Sequence, residues 1–432
     1  MPEAALAASA KLYRPKLATT LAEGYGLADL RHDAIAGLTV AIVALPLSMA
    51  IAVASGVSPD RGLYAAIVGG FLVSALGGSR FQVGGPAGAF IVLVGATVAR
   101  FGVDGLMLTV ILSGLMLTLL GALRLGGLIR HILHAVTVGF TAGIALTILA
   151  SQMKDLFGLR LAGAEPGPVI PKVAALAHAW PSASPAALGL GLGVIAIAAG
   201  VRRAKPLWPA MLIAVTAASV AASLLHLPLD TIGSRFGGIP HGLPAPHLPA
   251  VTAQKLLAVL PAALSFTLLG GIESLLSAVV ADGMTGRRHR SNMELVAQGL
   301  ANVASALFGG ISVTGTIART ATNVRAGARS PVAGMLHAVF LLAFMVVAAP
   351  LASYVPLSAL AGVLVLVAWN MAEKPAIAQL LRAPRTGAVL LTTFGLTVAR
   401  DLTTGIACGC ALAAALWGFE TWRNRRSLSP SA

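Results

Sequence analysis

The sequence predicts an all-α, polytopic membrane protein with about fourteen transmembrane elements, and three observations lead to this prediction. Of the 432 residues, 57% are hydrophobic and only 10% are charged, whereas roughly a quarter of the residues of soluble globular proteins are charged. Apolar runs of about 20 residues, the length that crosses a bilayer as a helix, recur along the chain. Two further apolar runs are too short to cross, and each follows a glycine-rich extended run, as in many transporters.

Complete membrane helices are predicted after a polar, cytosolic N-terminal arm that covers residues 1–33. In chain order they lie near residues 34–55, 62–79, 105–123, 131–151, 186–201, 207–226, 256–282, 292–308, 331–352, 357–372, 386–399 and 402–421. The two incomplete elements lie near residues 86–98 and 316–326, after the runs QVGGP and ISVTG. The twelve complete helices and the two incomplete elements make fourteen, and an even number puts both termini on the same side of the membrane.

The basic residues agree with this arrangement. The formal net charge is +15, and most lysines and arginines between the predicted helices fall on the side that carries the N-terminus. This is the pattern of cytosolic loops in a cytoplasmic (inner) membrane, and a short cytosolic tail is predicted at residues 423–432. The lipid bilayer is thus an expected partner. Nucleic acid is not, because binding it requires a basic face on a soluble module and the sequence contains no such module.

The two incomplete elements occupy the third place in each half of the chain. We therefore predict a first repeat at residues 34–204 and a second repeat at residues 205–422. Fourteen elements divide into seven per half of the chain, and an odd number per half gives the two halves opposite orientation. Paired interrupted segments at corresponding positions indicate an inverted-repeat transporter whose substrate site lies at the bilayer midplane.

An anion site is predicted where the two incomplete helices begin. Arg319 lies one turn inside the second of them, and an arginine at that depth is costly and marks function by default, although a packing or snorkelling role is the alternative. Helix N-termini expose unpaired N–H groups and attract anions. The expected substrate-binding residues near these helix starts are Gln82, Gly85, Gly315, Thr316 and Arg319.

Glu273 and Ser277 form the expected coupling-ion site. They lie one turn apart on the same face of the helix near residues 256–282. A carboxyl group at this depth can bind and release a proton. Together with the serine and backbone carbonyls near Gly315, it can instead hold Na⁺ through oxygen ligands.

No metal site or other cofactor is expected. Cys408 and Cys410 are the only cysteines, and their spacing puts them on different faces of one apolar segment, so they support neither a disulfide framework nor a metal site. An enzyme is also not expected, because no nucleophile, base and orienting group can be assembled from the residues inside the membrane.

The chain resembles the sulfate permease (SulP) family. The resemblance covers almost all of the chain and is carried by AGLTVAIVALPLSMAIAVASGVSPDRGLYAA, GGPAGAF and, most specifically, IESLLSAVVADGMTGRRHRSNMELVAQGLANVASALFGGISVTGTIARTATNVRAG. It implies a seven-plus-seven inverted repeat in which a core domain moves against a gate domain in an elevator-like cycle, usually as a homodimer. It also implies an anion site between the third and tenth helices, with Gly85 and Ala87 from GGPAGAF and Thr316 and Arg319 from GTIAR.

The resemblance also bears on the coupling ion and on the C-terminus. Members that use sodium for bicarbonate carry an acidic residue, typically Asp, and a hydroxyl at the positions of Glu273 and Ser277, so Glu273 favours H⁺ without excluding Na⁺. Most members continue into a cytosolic STAS domain, whereas this chain ends a few residues after Arg426. We therefore expect a member without that domain, or a trimmed one.

The expected function is secondary active transport of a small inorganic anion, coupled to H⁺. Sulfate and bicarbonate are the first candidates, and a small dicarboxylate is the next. The alternatives are a Na⁺-coupled bicarbonate symporter, an anion exchanger and a passive anion channel. A nucleobase permease, which has a similar fold, is less expected because such permeases generally place a carboxylate on the tenth element, where this chain has Arg319.

Overall fold

The computed structural model describes residues 13–129, 134–163, 165–166, 169–206, 208–400 and 402–427. It confirms the prediction of an all-helical, polytopic membrane protein. Among the described residues, seven helices are long and apolar enough to cross a bilayer: Leu27–Ala54, Gly88–Ala122, His134–Phe157, Pro185–Ala204, Ala253–Thr285, Val332–Ala352 and Leu357–Leu381. Parts of the predicted arm (residues 1–12) and of the predicted tail (residues 428–432) lie outside the described residues.

The helices of the first part of the chain follow the predicted order. They are α1 (Lys16–Ala22), α2 (Leu27–Ala54), α3 (59–76), α4 (Ile91–Ala122), α5 (Gly126–Ile129), α6 (His134–Phe157), α7 (Val169–His178), α8 (Pro185–Ala204) and α9 (Ala210–Leu224). The middle of α3 is a π-helical turn at Ala65–Gly69. A 3-10 turn at Gly88–Phe90 leads into α4, which bends at Gly102, where φ is +69°. Glycine tolerates this left-handed conformation, and the bend separates the elements predicted at 86–98 and 105–123.

In the second part of the chain, two stretches with little regular secondary structure lie on either side of the short helix α10, and the remaining helices follow. The helices are α10 (Ile232–Phe236), α11 (Ala253–Thr285), α12 (Ser291–Leu307), α13 (Ile317–Arg325), α14 (Val332–Ala352), α15 (Leu357–Met371), α16 (Lys374–Leu381), α17 (Pro384–Ala399) and α18 (Leu402–Ser427). The last of them continues into the segment predicted as a tail, because its sequence there, ETWRNRR, contains no helix breaker. Likewise, α2 begins at Leu27 and not near residue 34, because the Asp29 side chain accepts from the backbone N–H of Gly26 at 3.2 Å and caps the helix start.

The helices pack in two groups. One group holds α2, α3, α4 and α11 to α14, and the other holds α6, α8, α9, α15, α17 and α18. The two groups meet mainly where α2 contacts α9 and α15. Within the first group, α4 and α12 pack closely: a β-carbon on Gly299 of α12 would lie 2.4 Å from the carbonyl oxygen of Gly114 on α4. Small residues at such crossings allow membrane helices to pack backbone against backbone.

Candidate functional site

Two extended runs cross in the interior of the first helix group. The strand β1 (Gly84–Gly85) pairs antiparallel with β2 (Thr314–Gly315), with Gly84 opposite Gly315 and Gly85 opposite Thr314. All four residues are buried. Just beyond β1 the chain enters the 3-10 turn that leads into α4, and just beyond β2 it enters α13. The starts of the two incomplete helices, which are far apart in sequence, are therefore neighbours in space.

Arg319 extends from α13 across this crossing. It is only 2% exposed. Its Nη2 atom donates to Ser48 Oγ at 3.0 Å and to the Pro86 carbonyl at 3.4 Å, and Nη1 donates to the Gly84 carbonyl at 3.4 Å. Nε has no hydrogen-bond partner, and no salt bridge found among the described residues involves Arg319. The site therefore contains a buried guanidinium whose charge no carboxylate neutralises, beside two helix starts that favour anions.

At two positions of the crossing a glycine leaves room for a neighbouring polar side chain to lie against the backbone. A β-carbon at Gly85 would lie 1.6 Å from Arg319 Nη1, and one at Gly315 would lie 1.9 Å from Gln82 Nε2. Contacts below 3.0 Å would force the arginine or the glutamine to move. The two glycines thus let Arg319 and Gln82 lie directly against the strands.

Thr316 and Ala87 lie at the edge of the crossing. Thr316 is the N-cap residue of α13, and its backbone N–H donates to the Val83 carbonyl at 3.2 Å. Ala87 precedes the 3-10 turn and is buried. A β-carbon on the next residue, Gly88, would lie 3.3 Å from Met371 Sδ of α15. The crossing therefore faces the second group of helices.

Gln82 lies behind the strands, between α12 and the crossing. Its Nε2 atom donates to Glu294 Oε1 at 2.8 Å, and its Oε1 atom has no partner among the described residues. The amide donor that could bind an anion is thus engaged by a carboxylate in this conformation. Gln82 stays a predicted substrate ligand, but its contacts are those of a residue that supports Gly315.

Glu273 and Ser277 lie on α11, and they have different surroundings. Ser277 Oγ donates to Thr320 Oγ1 at 3.0 Å, one residue after Arg319. On the same helix, Ser274 Oγ lies 2.7 Å from Thr314 Oγ1 and accepts from the Gly315 N–H at 3.3 Å. Glu273 is buried and forms no side-chain hydrogen bond or ion pair within the described part of the chain. The structure therefore ties Ser277 to the crossing, whereas the Glu273 carboxyl has no hydrogen-bonding partner among the described residues.

Sequence reasoning missed several buried polar groups. It singled out Arg319 and Glu273 as the ionisable side chains inside the spans, yet Asp33, Glu294 and His337 are fully buried as well. Ser48, the partner of Arg319, also went unnoticed. A usable signal existed for Glu294: with Gln298, Asn302 and Ser305 it repeats at helical spacing and forms a polar face on α12.

Comparisons with known proteins show which family and fold the chain resembles. The sequence profile of the sulfate permease family matches residues 30–393. The Bacillus subtilis protein YvdB, named as a candidate sulfate transporter, is 43% identical over 397 residues, which cover 90% of this chain and 74% of YvdB.

Two solved structures show the same fold. The transmembrane domain of a cyanobacterial bicarbonate transporter, BicA, is 30% identical with a TM-score of 0.80, covering 88% of this chain and 98% of that one. The murine anion transporter Solute Carrier 26 family member A9, in an inward-facing state, has 19% identity and a TM-score of 0.84, covering 94% of this chain and 71% of its own.

Proposed function

The chain belongs to the sulfate permease family, and from this membership we propose that it is a secondary active transporter of small inorganic anions, with sulfate and bicarbonate as the first candidates. It is a multi-pass membrane anion transporter and not an enzyme, as the family and its members are transporters. The names of the relatives give the two candidate anions: YvdB is named for sulfate and BicA for bicarbonate. Both anions are small oxyanions that suit the same donors.

The observation that carries the proposal is the buried, unneutralised guanidinium of Arg319 at the crossing of β1 and β2. Burying an unpaired charge costs several kcal/mol, and a small anion bound beside it would remove that cost. The N–H groups at the start of α13 and at the 3-10 turn before α4 would add hydrogen bonds. We propose Gly85, Ala87, Gly315, Thr316 and Arg319 as the residues around the anion, with Gln82 as a further candidate.

Glu273 is the proposed site of the coupling proton. Its carboxyl lies on α11, the helix that also holds Ser274 against Gly315 and Ser277 against Thr320. Protonation would neutralise one charge in the same group of helices that carries Arg319. A Na⁺ ion held by Glu273 and Ser277 is the alternative.

The packing in two groups supports a transport cycle in which one group moves against the other. We propose that α2, α3, α4 and α11 to α14 form the core and carry the anion, and that the second group forms the gate. Each group contains helices from both predicted repeats, residues 34–204 and residues 205–422. We further propose that the protein forms a homodimer and that both of its termini lie in the cytosol.

Uptake of labelled sulfate and bicarbonate into proteoliposomes, under imposed pH or Na⁺ gradients, tests the function. We expect uphill accumulation of at least one of the two anions driven by an inward proton gradient. Arg319→Ala should abolish it, while Arg325→Ala, on the exposed end of the same helix, serves as the matched control. Downhill flux that no gradient can drive uphill would indicate a channel, and full activity of a correctly inserted Arg319→Ala variant would refute the anion site.

A further inference from the structure

A stripe of four polar side chains runs along one face of α12, and it contacts both extended runs. The stripe consists of Glu294, Gln298, Asn302 and Ser305, all of which are buried. Helical spacing of three and four residues places them in a row. None of them is among the residues proposed to contact the anion. Four buried polar groups in one membrane helix need partners, and the identity of those partners indicates what the stripe does.

The N-terminal half of the stripe holds the run that leads to β1. Glu294 Oε2 accepts from the backbone N–H groups of Gly78 at 2.9 Å and Ser79 at 3.0 Å. Glu294 Oε1 accepts from Gln82 Nε2 at 2.8 Å and from Gln298 Nε2 at 3.1 Å. The carboxylate is therefore satisfied by four N–H donors without any basic side chain. Through Gln82, whose amide lies against Gly315, it also reaches the second run.

The other half of the stripe holds the run that leads to β2. Asn302 binds the backbone of Val313 twice: Nδ2 donates to the carbonyl at 2.7 Å, and Oδ1 accepts from the N–H at 2.9 Å. Ser305 Oγ donates to the Ile311 carbonyl at 2.7 Å. The asparagine thus acts as a strand partner for the residue immediately before β2.

The opposite face of α12 is fixed to α4. A β-carbon on Gly299 would lie 2.1 Å from Thr118 Oγ1 and 2.4 Å from the Gly114 carbonyl oxygen. These distances place the backbone of α12 directly against α4. The stripe therefore lies on a closely packed helix and bonds both extended runs from one face of it.

We propose that the stripe is the positioning element of the anion site: Glu294, Gln298, Asn302 and Ser305 set the register of β1 against β2 and hence the places of both helix starts relative to Arg319. This inference depends on the proposed function for its effect on transport. It assigns the four residues a role in positioning, and it assigns the Glu294 carboxylate a hydrogen-bonding role and not a role in proton coupling.

The pair Glu294→Gln and Glu294→Ala tests the hydrogen-bonding role. In Glu294→Gln one oxygen still accepts from Gly78 and Ser79, and the new amide donates to Gln82 and Gln298, whose unpartnered oxygens can rotate to accept. We expect its apparent KM for the anion to stay within about threefold of the wild-type value. Glu294→Ala leaves four buried donors without an acceptor, and we expect its KM to rise by on the order of tenfold or more.

The matched pair Ser305→Ala and Ser219→Ala tests the other half of the stripe with a small change. Both serines donate to a backbone carbonyl, but Ser305 bonds the run before β2 whereas Ser219 bonds Val215 of its own helix at 2.9 Å. We expect a rise in KM for Ser305→Ala only. A general loss of folding would lower the maximal rate by reducing the amount of active transporter and would leave KM unchanged.

Hydrogen exchange of the backbone amides at residues 83–87 and 313–317, measured without substrate, separates this inference from the proposed function. We expect faster exchange in both segments for Glu294→Ala and Asn302→Asp, and wild-type exchange for Glu294→Gln. Unchanged exchange and KM in folded Glu294→Ala would overturn the inference even if the wild type transports anions. Equal impairment of Glu294→Gln and Glu294→Ala would also overturn it, because charge would then matter. A wild type without transport would overturn the proposed function alone.

Discussion

The guanidinium of Arg319 lies against the backbone of Gly85, so closely that a β-carbon at Gly85 would stand 1.6 Å from Nη1. Arg319 lies on one of the two incomplete helices predicted from the sequence, and Gly85 lies directly before the other. Their contact means that the start of one helix and the charge carried by the other form a single surface. Any side chain at residue 85 would separate them.

Gly85→Ala should therefore disable transport without removing any charged group. The added methyl group would push the guanidinium away from its contacts with Gly84, Pro86 and Ser48, and misplacement by about 1 Å can cost on the order of a hundredfold in rate. Uptake and thermal stability should be measured together. Near-normal uptake by the variant would contradict the role given to this contact.

Ser48→Ala should weaken anion binding by a smaller amount. Ser48 Oγ accepts from Arg319 Nη2 at 3.0 Å, and a hydrogen bond to a charged group contributes about 1.5–3 kcal/mol, so the apparent KM should rise by on the order of tenfold. Ser55→Ala is the matched control, because Ser48 and Ser55 both donate to their own helix at 2.7 Å but only Ser48 contacts Arg319. Equal effects of the two substitutions would contradict the prediction.

The sequence sufficed to predict the helices and the burial of Arg319, but not the residues that hold Arg319 in place. Hydrophobic run length locates membrane helices, and a lone buried arginine is conspicuous in such a chain. Ser48 is a single serine in an apolar run. Its hydrogen bond with Arg319 joins residues that lie 271 positions apart in the sequence. Gln82 is a predicted ligand because it offers a neutral hydrogen-bonding group near a helix start. Its amide donor bonds Glu294 instead, a contact that depends on how α12 packs in three dimensions.

Glu273→Gln should remove proton-driven accumulation and keep anion exchange. The amide has nearly the same shape as the carboxyl but cannot bind or release the coupling proton, while Arg319 and the helix starts are unchanged. Uptake under an inward proton gradient, compared with exchange at equal pH on both sides, measures the two properties separately. Full pH dependence of uptake in the variant would exclude Glu273 from coupling. If the variant instead loses uptake driven by a Na⁺ gradient, the Na⁺ alternative is favoured.

One exposed carboxylate provides a pH control outside the membrane spans. Hydrogen bonds from Arg80 lower the pKa of Glu23 below its ordinary value of 4.5. Because the pKa is lowered in the folded protein, any stability that this pair provides is present above pH 4.5 and is lost only as the pH falls through the lower, folded value.

Glu23 should thus remain ionised across an assay between about pH 5 and pH 8. We expect Glu23→Gln to keep the wild-type pH response of uptake, in contrast to Glu273→Gln. A flattened response in this control would place part of the pH dependence at Glu23 and not at Glu273.

Gly299→Ala should destabilise the first helix group by overpacking. Its β-carbon would collide with Thr118 Oγ1 and with the Gly114 carbonyl, which belong to a neighbouring helix and cannot both move. Overpacking of a tight core costs about 1–3 kcal/mol, so the unfolding temperature in detergent should fall by several degrees. Gly283→Ala on α11 is the matched control, because a β-carbon there meets nothing within 4 Å and alanine favours the helix over glycine by up to about 1 kcal/mol. Its unfolding temperature should stay equal or rise. Equal stability of the two variants would mean that α4 and α12 do not pack as closely as described, and the rigid backing required for the polar stripe of α12 would be lost.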